Sequence, residues 1–150
     1  RVYDNFHSYM NIPDTSGRDS LFQAEARRCK DIIKCVNDTT GSHLCIFDEL
    51  YSGTNPKEAI SSAMAFISYI NKHPNTRFIL TTHYSQICDH VEKLKGIKNY
   101  HMHVTDSDAG IKFSYKIEEG TSKTLGGVNV LKMLDYPDEI IKDVVRRSKE

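Results

Sequence analysis

The sequence predicts an α/β fold built around parallel strands, and three observations carry that reading. Residues 44–47 and 77–82 are short, mostly apolar runs of the kind that buried parallel strands show. Between them, residues 59–70 place Ile60, Ala63, Met64, Phe66, Ile67 and Ile70 at helical spacing, so strand, helix and strand form a βαβ unit with a right-handed crossover. Beyond residue 100 the apolar period drops to two, then returns to a helical one near the end of the chain.

Taken in order, residues 1–19 are polar and rich in turn formers, including Pro13 and Gly17, and no regular element is expected there. A helix is expected over 21–36. Ser20 and Gln23 make a capping box for it, and Leu21, Ala24, Ile32 and Ile33 contribute an apolar stripe. Residues 38–42 read as a turn ahead of the first strand. Pro56 suits the first turn of the second helix, and a third helix is expected over 85–94. Tyr100, Met102 and Val104 alternate with His101 and His103. After a turn over 106–110, Ile111, Phe113, Tyr115 and Ile117 alternate with polar residues, which makes a hairpin with one wet face. Helices over 125–134 and from Pro137 onward close the chain.

The 150 residues hold 20 basic and 20 acidic side chains, and 39% are hydrophobic. That is enough apolar material for a core, and a formal charge of zero gives no whole-chain electrostatic case for binding nucleic acid or an anionic membrane. Cys29, Cys35, Cys45 and Cys88 form no C-x-x-C pair, which suits a reducing, intracellular setting of unspecified compartment. No apolar run approaches the roughly 18 residues of a membrane span. The chain opens at Arg1 in what reads as mid-domain sequence, so a piece of a longer protein is expected.

The most informative string is His43-Leu44-Cys45-Ile46-Phe47-Asp48-Glu49. It places two carboxylates at the C-terminal mouth of a buried parallel strand, the edge at which open α/β sheets bind ligands. There the first carboxylate can hold the hydration shell of a magnesium ion, and the second can orient or deprotonate an attacking water. A strand that simply ends in a polar turn is the plainer alternative. One βαβ unit later, Leu80-Thr81-Thr82-His83 brings an imidazole to the neighbouring mouth, able to hydrogen-bond a terminal phosphate. Ser16-Gly17-Arg18-Asp19-Ser20, leading into a helix, offers amides, a hydroxyl and an arginine to an anion, with ordinary capping as the alternative. His101 and His103 have no third metal ligand nearby in sequence, and Lys93, Lys95 and Lys98 read as a solvated face.

These elements, in this order, resemble the ATPase domain of the MutS mismatch-repair family. Ser20-x-Phe22-x-x-Glu25 is similar to its S-T-F-x-x-E signature. Phe47-Asp48-Glu49-Leu50 with Gly53-Thr54 is similar to its Walker B string D-E-I/L-G-R-G-T, and Thr81-Thr82-His83-Tyr84 to its A-T-H-Y/F string. Residues 120–126 and Pro137-Asp138-Glu139-Ile140-Ile141 resemble the family's tail. The resemblance implies part of an ABC-type P-loop NTPase fold. Residues 1–124 would be the C-terminal part of the ATPase domain, and 125–150 the start of a helical dimerisation region.

It also implies ATP and Mg2+ as cofactors. Asp48 would position magnesium through water, Glu49 would polarise the attacking water, and His83 would sense the γ-phosphate. Ser20 would reach across a dimer to the partner's nucleotide, and Gly53, Thr54 and Asn55 would form a loop connecting the two composite sites. The implied partners are mismatched or branched double-stranded DNA, contacted through upstream domains and held by a clamp, and a MutS-like subunit in a homo- or heterodimer. Leu21 stands where the family usually has Thr, Tyr51-Ser52 replace Gly-Arg, and Asn55-Pro56 replace Ser-Thr. No Gly-Lys dipeptide of a phosphate-binding loop occurs, so these residues alone are expected not to bind or turn over ATP efficiently. Two alternatives stay open. One is a non-hydrolysing dimerisation module, and the other is a further ABC-type DNA-repair ATPase, whose usual glycine pair after serine is lacking at Ser16-Gly17-Arg18.

Overall fold

The computed structural model describes residues 2–10, 12, 20–107, 110–122 and 126–148. The chain forms two compact units, Arg1–Ile97 and Lys98–Glu150. The expected turn residues 16–19, the hairpin tip at 108–109, and Leu125 at the head of the fourth helix lie outside the described residues.

In the first unit the order is β1 (Asn5–Tyr9), α1 (Leu21–Asp38), β2 (His43–Asp48), α2 (Pro56–Ile70), β3 (Thr76–Thr81) and α3 (Ser85–Val91). The three strands form a parallel sheet in the order β1-β2-β3, with Tyr9 opposite Phe47 and Asp48 opposite Thr81. The α/β reading and the βαβ unit are therefore observed.

β1 corrects the expectation that residues 1–19 lack regular structure. Only His7 and Tyr9 of its five residues face inward and are buried, so polarity hides the period-two pattern. What makes it a strand is pairing along β2 rather than its own propensity.

α1 begins as expected, with Ser20 Oγ accepting from the Gln23 amide at 3.3 Å and the Gln23 side chain accepting from the Ser20 amide at 2.8 Å. It runs two residues past Val36, because Thr39 caps it by donating from its hydroxyl to the Cys35 carbonyl at 3.0 Å. α3 is shorter than expected. After Val91 it tightens into turns, with Lys93 and Leu94 donating to carbonyls only three residues back.

The core lies on one face of the sheet. Cys29, Ile32 and Val36 of α1 and Ala59, Ala63, Phe66, Ile67 and Ile70 of α2 bury against Tyr9, Cys45 and Phe47. Phe47 is the hub, with its ring 5.3 Å from Phe66 and 6.1 Å from Phe78. Edge-on packing such as that of Phe47 on Phe66 adds about 0.5–1.5 kcal/mol per pair beyond the area buried. On the opposite face Phe6 and Ile79 are 66% and 60% exposed, and Leu44 and Ile46 between them are half-buried.

The second unit holds the hairpin of β4 (Tyr100–Ser107) and β5 (Gly110–Glu119), followed by α4 (Gly126–Met133) and α5 (Asp138–Arg147). The strands are antiparallel, with an irregularity between Met102 and Val104 that accommodates Tyr115 at a φ of 56°. His101 and His103, expected on the wet side, are half-buried and tied to the Gly120 carbonyl and the Glu118 carboxylate. Tyr100, Met102 and Ile117 are the exposed set. Among the described residues no helix is long and apolar enough to cross a membrane.

Candidate functional site

The site grows out of the C-terminal ends of β2 and β3. Asp48 is the last residue of β2, and the Thr81 hydroxyl donates to its Oδ1 at 2.5 Å. Adjacent residues of a strand point to opposite faces, which would separate the two carboxylates. Glu49 escapes that rule because its φ is 50°, in the left-handed region, while its amide still donates to the Thr81 carbonyl at 3.1 Å. Both carboxylates consequently line one cleft of about 280 Å³, together with Tyr9, Ile12, Leu21, Glu25 and Ser52. His83 lies two residues beyond β3, and its Nε2 sits 2.6 Å from Glu49 Oε1. A smaller cleft of about 110 Å³ joins Glu49 and Ser52 to Thr82, His83 and Tyr84. The histidine and glutamate side chains are 82% and 47% exposed, so their contact adds little to stability and leaves both groups accessible.

The loop after Glu49 is held from beneath. Leu50 and Tyr51 are buried, and the Tyr51 amide donates to the Tyr9 hydroxyl at 3.0 Å. Tyr51 also stands at a φ of 61°, and its ring packs on Phe22 and Phe66. Glu25, 2% exposed, receives the Ser52 hydroxyl at 2.9 Å and the Gly53 amide at 3.0 Å. Burial, with a hydrogen bond to Glu25 also contributing, keeps the Tyr9 hydroxyl protonated far above the usual phenol range. Each oxygen of the buried Glu25 side chain thus has a hydrogen-bond donor from the loop. Burial likewise pushes the Cys29 thiol up to about 11, so it is a packing residue and not a nucleophile.

Gly53 passes so close to α1 that a Cβ would meet Leu21 Cγ at 2.7 Å and the Phe22 amide nitrogen at 2.8 Å. Thr54 donates to the Glu58 carboxylate at 2.8 Å, and Asn55 caps α2 by accepting the Glu58 amide at 3.0 Å. Ser20 caps α1, and the next residue, Leu21, lines the cleft.

The structure thus brings Asp48, Glu49 and His83 together. It gives Ser20, Thr54 and Asn55 to helix ends, and wedges Gly53 against α1. Sequence reasoning assigned no role to Glu25, Tyr9 or Thr81. For Glu25 the usable signal was a carboxylate on the stripe that also carries Cys29, Ile32 and Val36. For Tyr9 there was none, since β1 itself went unrecognised.

Residues 2–150 match the family model described as MutS domain V. The chain belongs to the MutS domain V family. It is 34% identical over 120 residues to the DNA mismatch repair protein MutS of Aquifex pyrophilus, which covers 80% of this chain and 14% of that protein. The MutS of Bacteroides fragilis (strain YCH46) is 35% identical over 126 residues, covering 83% and 14%. That of Bacillus licheniformis is 30% identical over 151 residues, covering 99% and 17%. The chain therefore spans about one-seventh of the length of the first of these relatives. In this MutS domain V, the two residues after Leu50 are the left-handed Tyr51 and Ser52, which Glu25 holds.

Proposed function

We propose that this MutS domain V supplies the hydrolytic edge of a P-loop ATPase in a mismatch-repair or recombination protein of the MutS type. The observation that carries the reading is the 2.6 Å approach of His83 to Glu49, beside Asp48, at the mouths of two adjacent parallel strands. These donors suit a hydrated hard cation and a terminal phosphate: carboxylate and hydroxyl oxygens from Asp48 and Thr81, and an exposed imidazole from His83. When bound, Mg2+ would neutralise charge developing on the phosphate oxygens. Asp48 would hold its water shell, Glu49 would align and deprotonate the attacking water, and His83 would hydrogen-bond the γ-phosphate and keep the Glu49 carboxylate in place. Ser20 and the loop of Gly53, Thr54 and Asn55 would connect this half-site to that of a second subunit.

The exposed Phe6 and Ile79 on the second face of the sheet fit the same reading, because parallel sheets are normally covered on both sides. Preceding chain carrying the glycine-rich phosphate loop would cover it. Residues 125–150 would begin the dimerisation helices, and DNA would be held by upstream domains in an intracellular setting.

In the full-length protein, Glu49→Gln should slow ATP hydrolysis by about 100-fold or more while sparing ATP binding. Unchanged turnover would remove Glu49 from the mechanism. Titration calorimetry on these 150 residues alone should show no micromolar ATP binding.

A further inference from the structure

At the opposite end of β2 from the acidic pair lies a second cluster of chemistry-bearing side chains. His43 is the first residue of β2 and Asp48 the last, roughly 16 Å apart along an extended chain. His43 and His7, from adjacent strands, are 1% and 8% exposed, and His43 Nδ1 lies 3.0 Å from His7 Nε2. Cys35, half-buried in the last turns of α1, completes a set whose donor atoms all lie within 4.8 Å of one another.

The Thr39 hydroxyl lies 3.0 Å from the Cys35 carbonyl, to which it donates, and 3.0 Å from His43 Nε2. With that proton on the carbonyl, the hydroxyl accepts from Nε2–H and Nδ1 turns a lone pair toward His7; a cation entering between the rings displaces the proton that His7 Nε2 shares with it. A ring held in one tautomer through its outer nitrogen is the arrangement that metal-ligating histidines use. Arg28, whose charge also acts on His7, is held by two hydrogen bonds to the Ser8 carbonyl.

We propose that His7, His43 and Cys35 form a site for a divalent d-block cation, zinc above all, that staples β1 and β2 to the end of α1. Two imidazole nitrogens and a thiolate are the ligand set of borderline-soft cations rather than of magnesium or calcium. A tetrahedral zinc site wants ligand atoms about 3.3–3.6 Å apart, so the cluster closes with small side-chain adjustments. The half-exposed Cys35 gives the ion its way in, and water takes the fourth position.

The test uses the full chain, stripped with a chelator and titrated with ZnCl2 and then, separately, with CoCl2. Zinc should bind at one equivalent with sub-micromolar affinity and raise the unfolding temperature by several degrees. Cobalt should give a thiolate-to-metal charge-transfer band, which the Glu49–His83 rim cannot produce because it has no sulfur. The band and the tight uptake should both disappear in Cys35→Ser and in His7→Gln, with circular dichroism unchanged. Should one of these variants fail to fold, the other decides. Substoichiometric uptake, a cobalt spectrum without the thiolate band, or a band that survives Cys35→Ser would overturn the site.

Discussion

Glu25 Oε2 accepts the backbone amide of Gly53 at 3.0 Å, while its other oxygen takes the Ser52 hydroxyl. The carboxylate is buried in α1, yet what it organises is the bend that follows the acidic pair. Glu25→Gln keeps the shape but turns an amide NH2 toward groups that are themselves donors. The loss should be about 1.5–3 kcal/mol in urea unfolding, the range for a buried hydrogen bond to a charged group. An unchanged midpoint would mean that the loop holds itself.

Gly53 is where that loop touches α1. An added methyl would meet Leu21 and the Phe22 backbone nitrogen at less than 3 Å, and a main-chain atom cannot step aside as a flexible side chain can. Gly53→Ala should cost about 1–3 kcal/mol by overpacking. Differential scanning fluorimetry reads it as a lowered transition temperature, and an equal or higher one refutes the contact.

Tyr51 sets two effects against each other. Glycine, the residue of the family string, would relieve about 1–2 kcal/mol of left-handed backbone cost. It would also remove a buried ring packed against Phe22 and Phe66, worth about 3–5 kcal/mol. Packing wins, so Tyr51→Gly should destabilise the chain by about 2 kcal/mol. A stabilised variant would show that strain outweighs the ring.

Asp4 ties the start of β1 to β2, accepting the Ser42 amide at 2.7 Å and the Ser42 hydroxyl at 2.8 Å. Those bonds, the amide first, hold its carboxyl below the usual carboxylate range. A depressed folded value means the unfolded chain binds the proton more readily. The stability is therefore full above the ordinary value of 3.8 and fades as pH falls through the folded one. Asp4→Asn should flatten that part of the acid unfolding curve, and identical curves for the two proteins would count against the tie.

Much of this was legible in the residues. Ser20 and Gln23 announced the start of α1, Pro56 that of α2, and the run into Asp48-Glu49 marked both a strand and its chemical end. β1 was not legible, because a five-residue strand with two inward side chains, one of them histidine, carries too little apolar signal. Nor were the left-handed angles of Glu49 and Tyr51. Those follow from how the loop must close over Tyr9 and Glu25, which only the folded chain brings together. The hairpin's period was right but its exposed side was not, since alternation specifies two faces without saying which one meets water.

The bend at Glu49 also narrows which side chains that position can hold. Branching at Cβ collides with the main chain at such angles, which disfavours valine, isoleucine and threonine there whatever the neighbouring chemistry. Aspartate accepts the angle but is one methylene shorter, about 1.5 Å of lost reach, and would leave the imidazole beyond the next strand uncontacted. Glutamate is thus the acid that meets both demands, and glutamine, equal in length and equally unbranched, changes the charge while leaving the geometry alone.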